Sequence, residues 1–288
     1  MRHGAPGRRR MSAGVLLAVL LGAFLHASWN VLVKAGHDTR VAAAGVYIGA
    51  GVLSAIALPF LPVPSAASWP YLAASTVVEV LYGLLLAAAY RLGDLSHAYP
   101  LMRGTAPLLV AIGSGVLIGE SLSGAVYAGV TLVSAGVLSM IRDAHSHGHS
   151  PAATRLALLN ACVIAAYTTI DGLGVRASRA PVAYSLWLSL LVGLPWLVWV
   201  AMRRDYRWAD ARRQLPAVAL GGACSVGSYT LALWAMTRAP VAAVAAVRET
   251  SIVFGAALGA IVLRERVTRV RALAAVAIAF GVWIIRAH

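Results

Sequence analysis

The sequence predicts an all-α membrane protein of ten transmembrane helices, set as two inverted five-helix repeats. Three observations predict it: a composition suited to lipid, ten apolar runs of spanning length, and a spacing of polar landmarks that occurs twice. Of the 288 residues, 60% are hydrophobic and 12% are charged, where an ordinary soluble domain has about 25% charged residues. A water-soluble chain of this size could not hide so much apolar surface, so hydrocarbon is the solvent that fits.

A helix crosses about 30 Å of hydrocarbon with about 20 mostly apolar residues. On that ruler the spans fall at 13–33, 41–61, 69–90, 97–118, 122–141, 155–175, 182–202, 216–237, 241–263 and 267–285. Helices are required, because an open strand edge in lipid leaves its backbone groups without partners. The domain organisation follows: a basic tail at 1–12, a first repeat at 13–142, a linker at 143–154 and a second repeat at 155–288. His145, His147 and His149 alternate in the linker; the segment reads as a flexible connection in preference to a metal site. Cys162 and Cys224 lie inside apolar runs and read as small buried side chains, with no disulfide or metal spacing around them.

The net charge of +14 does not point to nucleic acid, because the basic residues sit in short segments between apolar runs, where they meet lipid headgroups. Arginine supplies 23 of the 24 basic residues, a bias that suggests a GC-rich bacterial genome and hence a bacterial plasma (inner) membrane. Walker loops, dinucleotide-binding glycine fingerprints, HExxH and GxSxG are absent from the sequence. No cofactor or metal is expected, and the chain is not expected to be an enzyme.

Arg103 precedes Glu120 by 17 residues, and Glu120 precedes Gly136 by 16; Arg248, Glu265 and Gly281 repeat both intervals. Tyr82 and Arg91 match Tyr229 and Arg238, nine apart in each half, and Asn30 with Lys34 resembles Asp171 with Arg176, one residue off. Five spans carry the chain to the opposite side, so the second copy enters upside down. Inverted repeats are the architecture of many secondary carriers, with the cargo site between the copies near the midplane.

The Leu117-Ile118-Gly119-Glu120 and Leu263-Arg264-Glu265 endings, each followed by a glycine-bearing span, resemble the EamA-type repeat of the drug/metabolite transporter superfamily. The resemblance implies a ten-helix carrier of two inverted halves, without an ATPase domain, that moves small metabolites. His26-Ala27-Ser28-Trp29-Asn30, Tyr99-Pro100-Leu101-Met102-Arg103-Gly104 and Arg248-Glu249-Thr250-Ser251 are similar to a subgroup found beside phosphonate-use genes.

An ionisable side chain at membrane depth costs about 2.5–3.5 kcal/mol on insertion scales, so it faces a cavity or a partner. His26, Asn30 and Lys34 are spaced four apart on one stripe of the first span; Tyr99 with Arg103, and Tyr167 with Asp171, share stripes of the fourth and sixth. Arg103 and Arg248 are expected to flank a central site, one towards each entrance, and to hold an anionic or zwitterionic cargo bidentately. Ion pairing inside the bundle, Arg248 with Asp171 or Arg103 with Glu79, is their alternative role. Asn30, Trp29, Tyr82, Tyr99, Tyr167 and Tyr229 complete the candidate cavity. His26, Glu79 and Asp171 are candidates for proton coupling, because imidazole and carboxylate groups exchange protons. Glu120 and Glu265 read as structural marks of the repeat, and Gly45 with Gly49 and Gly255 with Gly259 as close helix contacts.

The expected partners are a small-molecule substrate and membrane lipids; a homodimer is allowed and nucleic acid is not expected. A flippase or an intramembrane enzyme acting on a lipid-linked substrate is the alternative function. Orientation stays open. With both termini inside, inner segments carry eight basic residues and outer ones fourteen, which favours termini outside, whereas the resemblance implies termini inside.

Overall fold

The computed structural model describes residues 11–35, 39–92, 95–143, 150–202, 208–262, 264 and 267–288. Among these residues, eleven α-helices form the ten spans: α1 (Ala13–Ala35), α2 (Thr39–Ala57), α3 (Trp69–Leu92), α4 (Leu95–Gly113), α5 (Gly124–Ser139), α6 (Pro151–Ser178), α7 (Pro181–Ala201), α8 (Trp208–Met236), α9 (Val241–Arg248), α10 (Thr250–Val262) and α11 (Arg269–Ala287). All ten spans are long and apolar enough to cross a membrane, and α9 with α10 makes the ninth, Val241–Val262. Leu17, Leu84, Val116, Ile261 and Trp283 are exposed on their helices, the pattern of a bundle whose outer surface meets lipid.

Three features differ from the sequence expectation, each for a local reason. Helix α6 begins four residues before the expected span, inside the 143–154 linker, because Ser150 accepts a hydrogen bond from the Ala153 amide (3.4 Å) and Pro151 opens the first turn, the standard start signals. Helix α8 starts at Trp208 rather than 216: hydropathy detects only the apolar part of a helix, and Arg212, Arg213 and Gln214 are good helix formers. The ninth span breaks at Glu249, where the Glu249 amide bonds the Ala246 carbonyl (3.0 Å) and the Thr250 hydroxyl donates to Val247 (2.8 Å). Cys162 is exposed on α6, contrary to its expected burial, while Cys224 is buried. The three linker histidines and Glu265 lie outside the described residues.

Exchanging the two halves leaves the main helix pairings in place. Helix α1 packs on α8 as α3 packs on α6; α1 lies against α9 and α10 as α6 lies against α4; α2 pairs with α7 and α5 with α11. Some equivalences are uneven: α2 packs extensively along α8 while the matching contact of α3 with α7 is smaller, and α4 packs more closely on α5 than α10 does on α11. Helices α2, α7 and α8 meet backbone to backbone. A methyl group on Gly49 would sit 2.6 Å from the Val218 carbonyl oxygen, and one on Gly222 would sit 2.6 Å from the Ala50 amide, so only glycine permits this approach. Gly45 joins the same contact, as its spacing predicts, whereas Gly255 has open space beside it.

Candidate functional site

Arg103 stands on α4 between Pro100 and Pro107. Pro107 has no amide hydrogen, so the Arg103 carbonyl lacks its usual helical donor four residues on; the backbone is loosened where the charge sits. The ninth span is loosened at the matching level by its break at Glu249. The two weak points meet. Arg103 donates from Nε to Glu249 Oε2 (3.0 Å), and its Nη2 lies 3.0 Å from Oε1, with both side chains 6% exposed. This buried bidentate ion pair joins the first half to the second.

The Arg248 guanidinium lies over the Tyr229 ring, 5.1 Å from its centre, a cation–π contact. The Tyr229 hydroxyl donates to Asp171 Oδ2, and Tyr184 donates to Asp171 Oδ1 (3.1 Å), so a fully buried carboxylate on α6 is held by hydroxyls from α8 and α7. Glu79 on α3 faces Asp171 and Arg248, with the Tyr229 hydroxyl in reach. Tyr167 lines the cleft with Arg103, Arg248 and Glu249, and Tyr99 lies within electrostatic range of Arg103 and Glu249. Tyr82 packs edge-on against Tyr167 (5.9 Å).

Beside this cluster, α1 contributes His26, which faces both arginines and packs on Trp29 (5.1 Å). Trp29 continues to Tyr47 (6.3 Å), and Tyr47 stacks on Trp196 (5.2 Å). Asn30 turns its amide back to the His26 carbonyl (2.7 Å), which occupies one of its two donors within its own helix.

Arg103, Tyr167, Thr168, Arg248 and Glu249 line one narrow cleft. The two arginines thus flank one cleft together. A rise of 1.5 Å per residue places the Cα atom, but the guanidinium reaches well beyond it, and α4 and α9 touch at this depth. The expected pairings of Arg103 with Glu79 and Arg248 with Asp171 give way to Arg103 with Glu249 and Arg248 on Tyr229. Sequence reasoning met Glu249 within the Arg248-Glu249-Thr250-Ser251 motif and left it out of the site, because its partner lies 146 residues away. Tyr184 carried no sequence signal beyond being a tyrosine in an apolar helix.

Glu120 is a boundary group. It accepts hydrogen bonds from the Val241 amide on both oxygens (3.1 and 3.0 Å), capping α9, and it pairs with Arg176. Arg176 also donates to the Met236 and Ala239 carbonyls (2.9 and 3.2 Å) at the end of α8.

With this architecture in view, the comparisons with known proteins fall into place. Residues 153–287 match the model of the EamA-like transporter family. The second half of the chain is EamA-like. Its ten apolar helices make it a multi-pass membrane protein, and the match over its second half supports a membrane transporter. A solved structure described only as "Crystal structure of protein" is similar to it with a TM-score of 0.72 and 19% identity, over 94% of this chain and 96% of that one. That likeness shows a shared fold over nearly the whole of both chains. No curated protein matches the sequence.

Proposed function

We propose that the chain carries a small polar metabolite, anionic or zwitterionic, across a bacterial plasma membrane by alternating access between two inverted halves. The observation that carries this reading is the Arg103–Glu249 pair, which bridges the halves beside a cleft walled by charged and aromatic side chains. Charged groups at membrane depth stay there when they face a pathway or one another, and here they do both. The cleft is too narrow in this conformation for a metabolite, so cargo enters when the halves part. The uneven contacts of α2 with α8 and α3 with α7 support a bundle with two arrangements. Arg103 and Arg248 hold the acidic group, Asn30, Trp29 and the tyrosines shape the rest, and His26, Glu79 and Asp171 exchange the coupling proton.

Purified chain in liposomes, screened with labelled amino acids, phosphonates and sugar phosphates, tests the reading. Uptake above empty vesicles is expected for one class, and it falls when an ionophore collapses the proton gradient. Uptake of nothing rejects the carrier. Unchanged uptake after gradient collapse rejects the coupling alone. Wild-type uptake by well-inserted Arg103→Ala and Arg248→Ala variants rejects the arginine clamp.

A further inference from the structure

The Arg103–Glu249 pair is neutral as a unit, borders the cleft and takes one charge from each half. Both partners sit where their spans are weakened, Arg103 between two prolines and Glu249 at a helix break. When the halves part to admit cargo, the pair opens, and a bare guanidinium and a bare carboxylate face each other across a medium that solvates neither. An anion in that gap satisfies Arg103 and takes from Glu249 its hydrogen-bonded cation, leaving it only the weaker influence of Arg248. A cation does the reverse. A molecule that is itself an internal ion pair satisfies both and leaves the charge of the pathway unchanged, which is discrimination by an unpaired charge against the wrong ligand.

We propose that this pair is the charge filter of the site: Glu249 receives the ammonium of a small zwitterion while Arg103 receives its acidic group. Glu249 then determines specificity against simple anions, a role distinct from that of the arginines. The inference rests on the carrier reading above and narrows its cargo. Tyr167, which lines the cleft with both charges, supplies an aromatic wall suited to an ammonium group.

The test uses full-length protein in liposomes and three sets of matched probes, built on glycine, leucine and taurine: each zwitterion, its N-acetylated anion, and the amide carrying only the ammonium. Wild type is expected to carry a zwitterion at least about tenfold faster than its charged derivatives. Glu249→Gln shifts preference towards the anion and Arg103→Gln towards the cation, in opposite directions. Because a lone buried charge threatens folding, two paired variants accompany them. Arg103→Gln with Glu249→Gln removes both charges and loses the discrimination; the swap of Arg103→Glu with Glu249→Arg restores both charges and the zwitterion preference. The filter is overturned if wild type carries an N-acetylated anion as well as its parent. It is also overturned if the doubly neutral variant keeps wild-type selectivity, or if both single variants shift the same way. Transport of sugar phosphates without any zwitterion overturns the filter and leaves the carrier standing, whereas transport of no compound in either screen removes both.

Discussion

Among the described residues, two glutamate–arginine pairs tie this bundle together, and they differ in almost everything except chemistry. Glu249 and Arg103 meet inside the membrane at 6% exposure each, whereas Glu120 and Arg176 meet at a helix boundary at 10% and 32%. The boundary pair is surrounded by backbone: the Val241 amide caps onto Glu120, and the Met236 and Ala239 carbonyls receive Arg176. The central pair is surrounded by aromatic rings and other ionisable groups. A charge pair that saturates helix ends is fastening. One that faces a cleft, with its partners drawn from both halves, can be opened and refilled.

The largest effect that would sharpen this contrast comes from breaking the central pair. Arg103→Gln or Glu249→Gln alone should cost about 3–5 kcal/mol, since each leaves an uncompensated buried charge, while the double replacement recovers most of it. Thermal unfolding in detergent measures this, and a double variant no more stable than the singles would contradict it. At the boundary, Glu120→Ala should cost about 1–2 kcal/mol, the scale of a lost helix cap with a partly exposed ion pair. If Glu120→Ala proved as damaging as the central singles, the distinction between the pairs would collapse. The smallest effect is Tyr229→Phe, which removes one hydroxyl donor from Asp171 and should cost about 1 kcal/mol. Its signature lies in function: gradient-driven accumulation should drop more than cargo exchange, read in the same vesicles.

The architecture was legible in the sequence because lipid imposes one rule on every span, and ten apolar runs obey it. The span ends were less legible wherever a helix outruns the apolar layer, as α8 does with its polar first turns. Of the site, the residue types at membrane depth stood out, since a charge there is costly enough to be conspicuous. Their partners did not. Arg103 and Glu249 are joined only by the docking of α4 on α9, and the break that presents Glu249 carries neither proline nor glycine. Glu120 could be read as a repeat mark, but its grip on Val241 and Arg176 depends on how the halves fold together.

The glycine-lined meeting of α2, α7 and α8 has a mechanical consequence. Interlocked side chains resist relative motion, because each must leave its rotamer before a neighbour can pass. Where main chain lies on main chain, as at Gly49 with Val218 and Gly222 with Ala50, there is little to unlock. Under the proposed alternation between halves, that contact would serve as a bearing surface, close enough to hold them and with few side chains to unlock.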